Sequence, residues 1–211
     1  MNNFDEVNDF LMNPANWVVG GIDAIRRYMN TTIEVAVTPR LVAASDQYSR
    51  QQAQGVPDEY LDVDAVIDES EFGRWVEICF FLGIFAFWES HVAELSEAVK
   101  PLSSHETQVG RRTQVAIDIL RRELDTPATD PSLADIKSVR ERLAHDGGQL
   151  TPRGKSDLSA LLKAGRLRQM NWEDLGFDDT FVNDAAEVLG QVYRSWSDQL
   201  RSRGLGEPTP G

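Results

Sequence analysis

The sequence predicts an all-α protein: a helical bundle built around one long apolar helix, with a small hairpin before the last helix. Three observations predict it. Apolar residues recur at three- and four-residue steps through residues 14–55 and again through 179–203. Residues 71–99 contain no proline and are apolar on nearly every side through their middle, the pattern of a helix enclosed by others. A length of 211 residues, 41% apolar and 26% charged, fits one soluble domain with a single sizeable core.

The first helical stretch carries Trp17, Val18, Ile22, Ile25 and Met29 on one stripe. Residues 31–38, TTIEVAVT, alternate and are β-branched, so a short strand competes there; the helical surroundings favour helix. Pro39 lacks a backbone N–H and must break or kink that helix. Residues 55–70, acidic and opened by Gly55 and Pro57, read as a loop with at most a helical turn. The strong helix follows over 71–99, and Pro101 stands just past its end.

Residues 107–124 form an amphipathic helix. Val109, Val115, Ala116, Ile119 and Leu120 make its stripe, and Arg111, Arg112, Arg121 and Arg122 its basic outer face. The next helix spans about Pro131 to His145, with Asp130 as its cap and Pro131 at its first position. Asp146-Gly147-Gly148 ends it, since glycine takes the left-handed conformation readily. A turn-rich connection leads to a short helix over 156–164. A small hairpin is expected around Gly165–Trp172, and the last long helix covers 179–203. The chain therefore reads as one helical domain over 1–203: N-terminal helices and acidic loop in 1–70, core in 71–203. Residues 204–211 are expected to be a disordered tail.

Net charge is -13, with 21 Lys+Arg against 34 Asp+Glu, which excludes a generally basic nucleic-acid coat. The acid is uneven. Residues 1–100 carry 6 basic and 17 acidic side chains, residues 101–170 carry 12 and 9, and residues 171–211 carry 3 and 8. The only net-basic stretch is thus 101–170. It can be an ordinary solvated face or a local site for an anion. One cysteine, Cys79, excludes an intramolecular disulfide and a cysteine-rich zinc site. As a buried thiol it would suit a reducing compartment. The first residues lack the basic and apolar regions of a signal peptide, and the longest uncharged apolar run, Ile78–Trp88, is shorter than a bilayer crossing. The expectation is a cytoplasmic protein without membrane, metal or cofactor.

Several motifs fail. Gly154-Lys155-Ser156 lacks the earlier glycine and the strand of a phosphate-binding loop. His91, His105 and His145 have no zinc-ligand spacing. Asp62/Asp64 and Asp178/Asp179 read as ordinary acidic-loop residues.

One motif survives. Residues 139–148 read VRERLAHDGG: Arg140, four intervening residues, His145, then a glycine pair at a helix end. Upstream, FLGIFAFWESHVAEL (81–95) holds the pair Trp88-Glu89. Together these resemble the R-x4-H signature and the aromatic-rich Trp-Glu helix of the HEPN superfamily, over roughly residues 70–200. The resemblance implies a HEPN-like bundle that pairs as a homodimer through the motif face. It also implies a metal-independent endoribonuclease of defence or toxin systems, acting on RNA, with an antitoxin or other protein as a further partner. Arg140 and His145 would be catalytic. Some members keep only the fold and bind a protein or nucleotide partner.

The residue chemistry fits cleavage. A histidine titrating near neutrality can take the 2′-hydroxyl proton, and an arginine can hold the charged phosphorane. Five helical positions, however, put Arg140 and His145 about 140° apart on one helix. Either the helix ends before His145, or two protomers share one cleft; the resemblance favours the second. Alternatively, Arg140 pairs with Glu89 on the core helix, a contact that would also preorganise an active arginine, while His145 caps its helix. Arg142 lies nearer the His145 face and is a second candidate for phosphate contact. Glu141 would repel phosphate. Gly147 stands where some regulated toxins carry tyrosine.

Overall fold

A computed structural model describes residues 13–99, 112–170 and 174–204. Its backbone is mostly helical, with one two-stranded sheet among the described residues. Helix α1 (Pro14–Thr32) starts on Asn13, whose side chain accepts the Ala15 N–H. A π-helical turn, Ile33–Val37, passes directly into α2 (Thr38–Ala53). No strand forms over 31–38, and Pro39 does not end the helix. In the widened turn the Thr38 N–H reaches back to the Ile33 carbonyl. That leaves room for the ring of Pro39, which has no N–H to place.

The acidic loop is shorter than its composition predicts. A 3-10 turn, Asp58–Tyr60, is followed by α3 (Val63–Val99), 37 residues long. Residues 63–70 are helical, with Glu69 held by α2 while Asp64 and Asp68 face water. Arg40 of α2 holds Glu69 at 2.8 Å. Gln51 accepts the Asp62 N–H and Gln47 donates to the Asp62 carboxylate. The chain from α1 to α2 runs antiparallel to α3. Trp17 meets His91 at 5.1 Å between ring centroids, and Tyr28 meets Phe80 at 5.8 Å.

Helix α4 (Arg112–Glu123) buries Ala116, Ile117, Ile119 and Leu120, and Val115 is only half-buried. The predicted start at 107, Val109, Arg111 and His105 fall outside the described residues. Helix α5 (Leu133–Asp146) begins later than predicted. Its cap is Ser132, whose hydroxyl accepts the Asp135 N–H while the Asp135 carboxylate accepts the Ser132 N–H. Asp130 and Pro131 precede the helix and do not cap it. Gly147 closes α5 at φ 60, as the Gly-Gly pair predicts.

The connection after α5 holds α6 (Pro152–Asp157), capped by Thr151, before α7 (Ser159–Lys163). The hairpin lies further on than predicted. β1 (Leu167–Gln169) pairs antiparallel with β2 (Leu175–Phe177), Leu167 opposite Phe177. Burial of both Leu175 and Phe177 fixes the second strand there. Helix α8 (Phe181–Ser202) starts on Asp178, whose carboxylate accepts the Phe181 N–H at 2.6 Å. α8 crosses the core side of α3, with Trp196 on Trp88 and Phe181 on Phe81. The tail from 205 lies outside the described residues.

Two expectations about α3 change. Cys79 is exposed, not buried. By length and hydropathy α3 is also apolar enough to cross a membrane, a test that buried core helices pass as well.

Candidate functional site

The motif residues leave α5 in three directions. The core stripe of α5 is Leu133, Ile136, Val139 and Leu143. Arg140 lies on one flank of that stripe and reaches α3, where its Nη2 stands 3.2 Å from Glu89 Oε2. Its guanidinium carbon sits 5.8 Å from the centroid of the Phe85 ring. A third of the Arg140 side chain remains open to solvent, against 17% for Glu89. Burial raises the Glu89 carboxyl above its ordinary range, and Arg140 offsets that only in part.

His145 points away from the core in the last turn of α5. It is exposed and forms no hydrogen bond or ion pair with the described residues. Arg140 and His145 are therefore not brought together within one chain, as the helical rotation requires. Arg142 takes the other flank. Its Nη1 stands 3.3 Å from Asp146 and its Nε 3.8 Å from Asp157. Thr151, the cap of α6, also leans on the Asp146 carboxylate. Arg142 thus ties α5 to α6. Glu141 faces Lys137 at 3.8 Å, one turn back, and the pair offsets part of the repulsion Glu141 offers an anion.

Two groups carry chemistry that no sequence motif marks. Arg74 is buried on the core side of α3. It holds Glu71 at 2.8 Å and Asp174 at 3.6 Å, donates to the Leu175 carbonyl, and lies over the Trp75 ring. Its place one turn before Ile78 on the apolar stripe was a legible sign of burial.

The second is Glu77. It borders a cavity of about 340 Å³ between the π-helical turn and the start of α8, together with Glu34, Asp178, Asp179 and Asn183. Burial first, then the Asp179 charge, push its carboxyl up to about 7, with Arg168 acting in the opposite sense. These acids are far apart in sequence, so spacing gave no sign of their meeting. Among the described residues no three His, Cys, Asp or Glu side chains are grouped to hold a metal ion.

Comparison with protein-family models, with curated proteins and with solved structures returns no match.

Proposed function

We propose that this chain is a HEPN-type, metal-independent endoribonuclease whose site is completed by a second copy. The observation that carries the reading is the Glu89–Arg140 contact, with an exposed His145 on another side of the same helix. Glu89 fixes the Arg140 guanidinium while leaving part of it open, which is what a phosphate-gripping arginine needs. His145 is exposed, so a substrate hydroxyl can reach its ring.

In this reading His145 takes the proton of the RNA 2′-hydroxyl. The 2′-oxygen bonds to phosphorus, the bond from phosphorus to the 5′-oxygen breaks, and the leaving oxygen takes a proton from water. The products are a 2′,3′-cyclic phosphate and a 5′-hydroxyl. Arg140 neutralises the phosphorane between them. The rotation between Arg140 and His145 keeps one chain from serving a single phosphate with both. Arg140 of one protomer and His145 of its partner form the working pair.

A second reading is a HEPN-like module that binds a protein or nucleotide without cleavage. It draws on Arg142, which is already engaged by two carboxylates, and on Glu141 inside the motif.

Mixing Arg140→Ala and His145→Ala chains separates one-chain from two-chain sites. Each variant alone is inactive. A two-chain site regains part of the native cleavage in mixed dimers, because one of its clefts keeps both residues. Absence of any recovery in demonstrated mixed dimers contradicts the shared site.

A further inference from the structure

From Thr38 to Gly73 no residue is buried. The stretch spans α2, the 3-10 turn and the start of α3. It folds back on itself as a two-helix arm, held by the Arg40–Glu69 pair and by the Gln47 and Gln51 contacts to Asp62. Ordering a helix costs conformational entropy at every residue, and burial of an apolar face normally offsets that cost. In this arm no side chain is buried deeply enough to do so.

Helix α3 shows which face lacks its cover. Its core stripe, Ile78, Phe81, Phe85 and Trp88, keeps one direction along the helix. Counted back at ~100° per residue, Arg74, Ile67 and Val63 fall in the same ~80° sector. Arg74 is still covered, by Asp174 and the Leu175 carbonyl. Beyond it the stripe runs off the end of the bundle, and Ile67 is 41% and Val63 43% exposed.

Acid surrounds this open stripe. Residues 54–72 hold seven acidic side chains and no basic one. Asp64 and Asp68 run beside it, ~60–100° round the helix from Ile67. Asp58 and Glu59 precede it in the turn. These four carboxylates are exposed and have no hydrogen-bond or ion-pair partner among the described residues.

We infer that the Val63–Ile67 face of the arm docks a basic amphipathic helix of a different protein. The helix would lay its apolar stripe on Ile67 and Val63 and set Lys or Arg side chains against Asp64 and Asp68. Charge selects this occupant. The same carboxylates repel RNA, DNA and anionic lipid, and a second copy of the chain brings a further net charge of -13. Among the described residues no acids are grouped to hold a metal ion. A basic helix supplies both things the arm lacks, apolar cover and positive charge. The arm precedes the stretch that resembles the HEPN superfamily, and no residue of the Arg140–Glu89–His145 set takes part. The inference therefore stands apart from the nuclease reading.

The test uses the full chain and a synthetic helical peptide of ~18 residues, with leucines at three- and four-residue steps and lysines on both flanks. A twin peptide carries glutamates in place of the lysines. Fluorescence anisotropy at physiological salt measures binding, and amide hydrogen exchange locates it. The lysine peptide is expected to bind and to slow exchange over residues 58–70, and the twin is expected not to bind. Ile67→Ser, and Asp64→Asn combined with Asp68→Asn, are each expected to weaken binding ~10-fold or more. The double variant also flattens the salt dependence. All three positions are exposed, and circular dichroism checks that both variants fold. Asp198→Asn, an exposed acid on α8, is expected to change nothing. Failure of the lysine peptide to bind overturns the inference. So does equal binding of the twin, protection outside the arm, or equal weakening by Asp198→Asn. Loss of a native dimer in Ile67→Ser also overturns it, by giving the face to a second copy.

Discussion

Arg140 and Glu89 meet at 3.2 Å across 51 residues of sequence, and the contact ties the motif helix α5 to the central helix α3. The Glu89 carboxyl is half-hidden and raised by burial, and Arg140 is the group that offsets the rise. Structure and chemistry are therefore joined at this pair. Arg140 cannot be removed without exposing the cost of a desolvated acid.

Arg140→Ala is expected to lose about 1–2 kcal/mol of stability near neutral pH, and Glu89→Gln less than about 1. The loss in Arg140→Ala shrinks as pH falls. A carboxyl whose folded pKa is raised holds its proton more tightly in the folded chain, so acid favours that state. Urea unfolding of both single variants and the double variant gives the coupling. Strictly additive effects contradict the pair.

Glu77 supplies a second pH signature. Its folded value of about 7 lies above its ordinary 4.5. Between those limits the folded chain keeps a proton that the unfolded chain has lost. Stability therefore falls as pH rises through this window, and the penalty stays above it. Glu77→Gln is expected to gain about 1 kcal/mol above pH ~7, after allowance for solvent screening, or ~2–4 °C in Tm, and nothing below pH ~4.5. Thermal melts across pH read it directly. An equal gain at all pH values contradicts the titration.

Arg74 is expected to be the most costly single charge to remove. Only 5% of its side chain is exposed, and it satisfies Glu71, Asp174 and the Leu175 carbonyl at once. Arg74→Met is expected to lose about 3 kcal/mol. Hydrogen exchange locates the damage: the Leu175 amide, bonded to the Gly148 carbonyl, loses protection before the amides of α8. Uniform loss across the chain contradicts that assignment.

Much of this architecture is legible in periodicity. Ile22 and Met29 in α1, Ile136 and Val139 in α5, and Val188 and Trp196 in α8 are core residues where the apolar stripes put them. What the stripes missed has physical reasons. The π-helical turn at 33–37 depends on how Pro39 fits against the preceding turn, which no local propensity encodes. Ser132 and not Asp130 caps α5 because Asp135 three residues on completes a reciprocal box, a pattern present in the sequence. Cys79 lies in an apolar stretch of sequence, yet its thiol is exposed, because α3 keeps one side uncovered among the described residues. At the motif, the 140° rotation foretold that Arg140 and His145 part. The engagement of Arg142 with Asp157, on a later helix, needed the fold.

The most direct measurement is RNA cleavage with EDTA present, comparing the native chain with His145→Ala and Arg140→Ala after circular dichroism shows both variants folded. Cleavage by the native chain is expected to leave 2′,3′-cyclic phosphate ends, with a loss of at least ~100-fold in each variant. Native activity retained in either folded variant, or a native dimer that cuts neither structured RNA, tRNA nor total RNA, contradicts it.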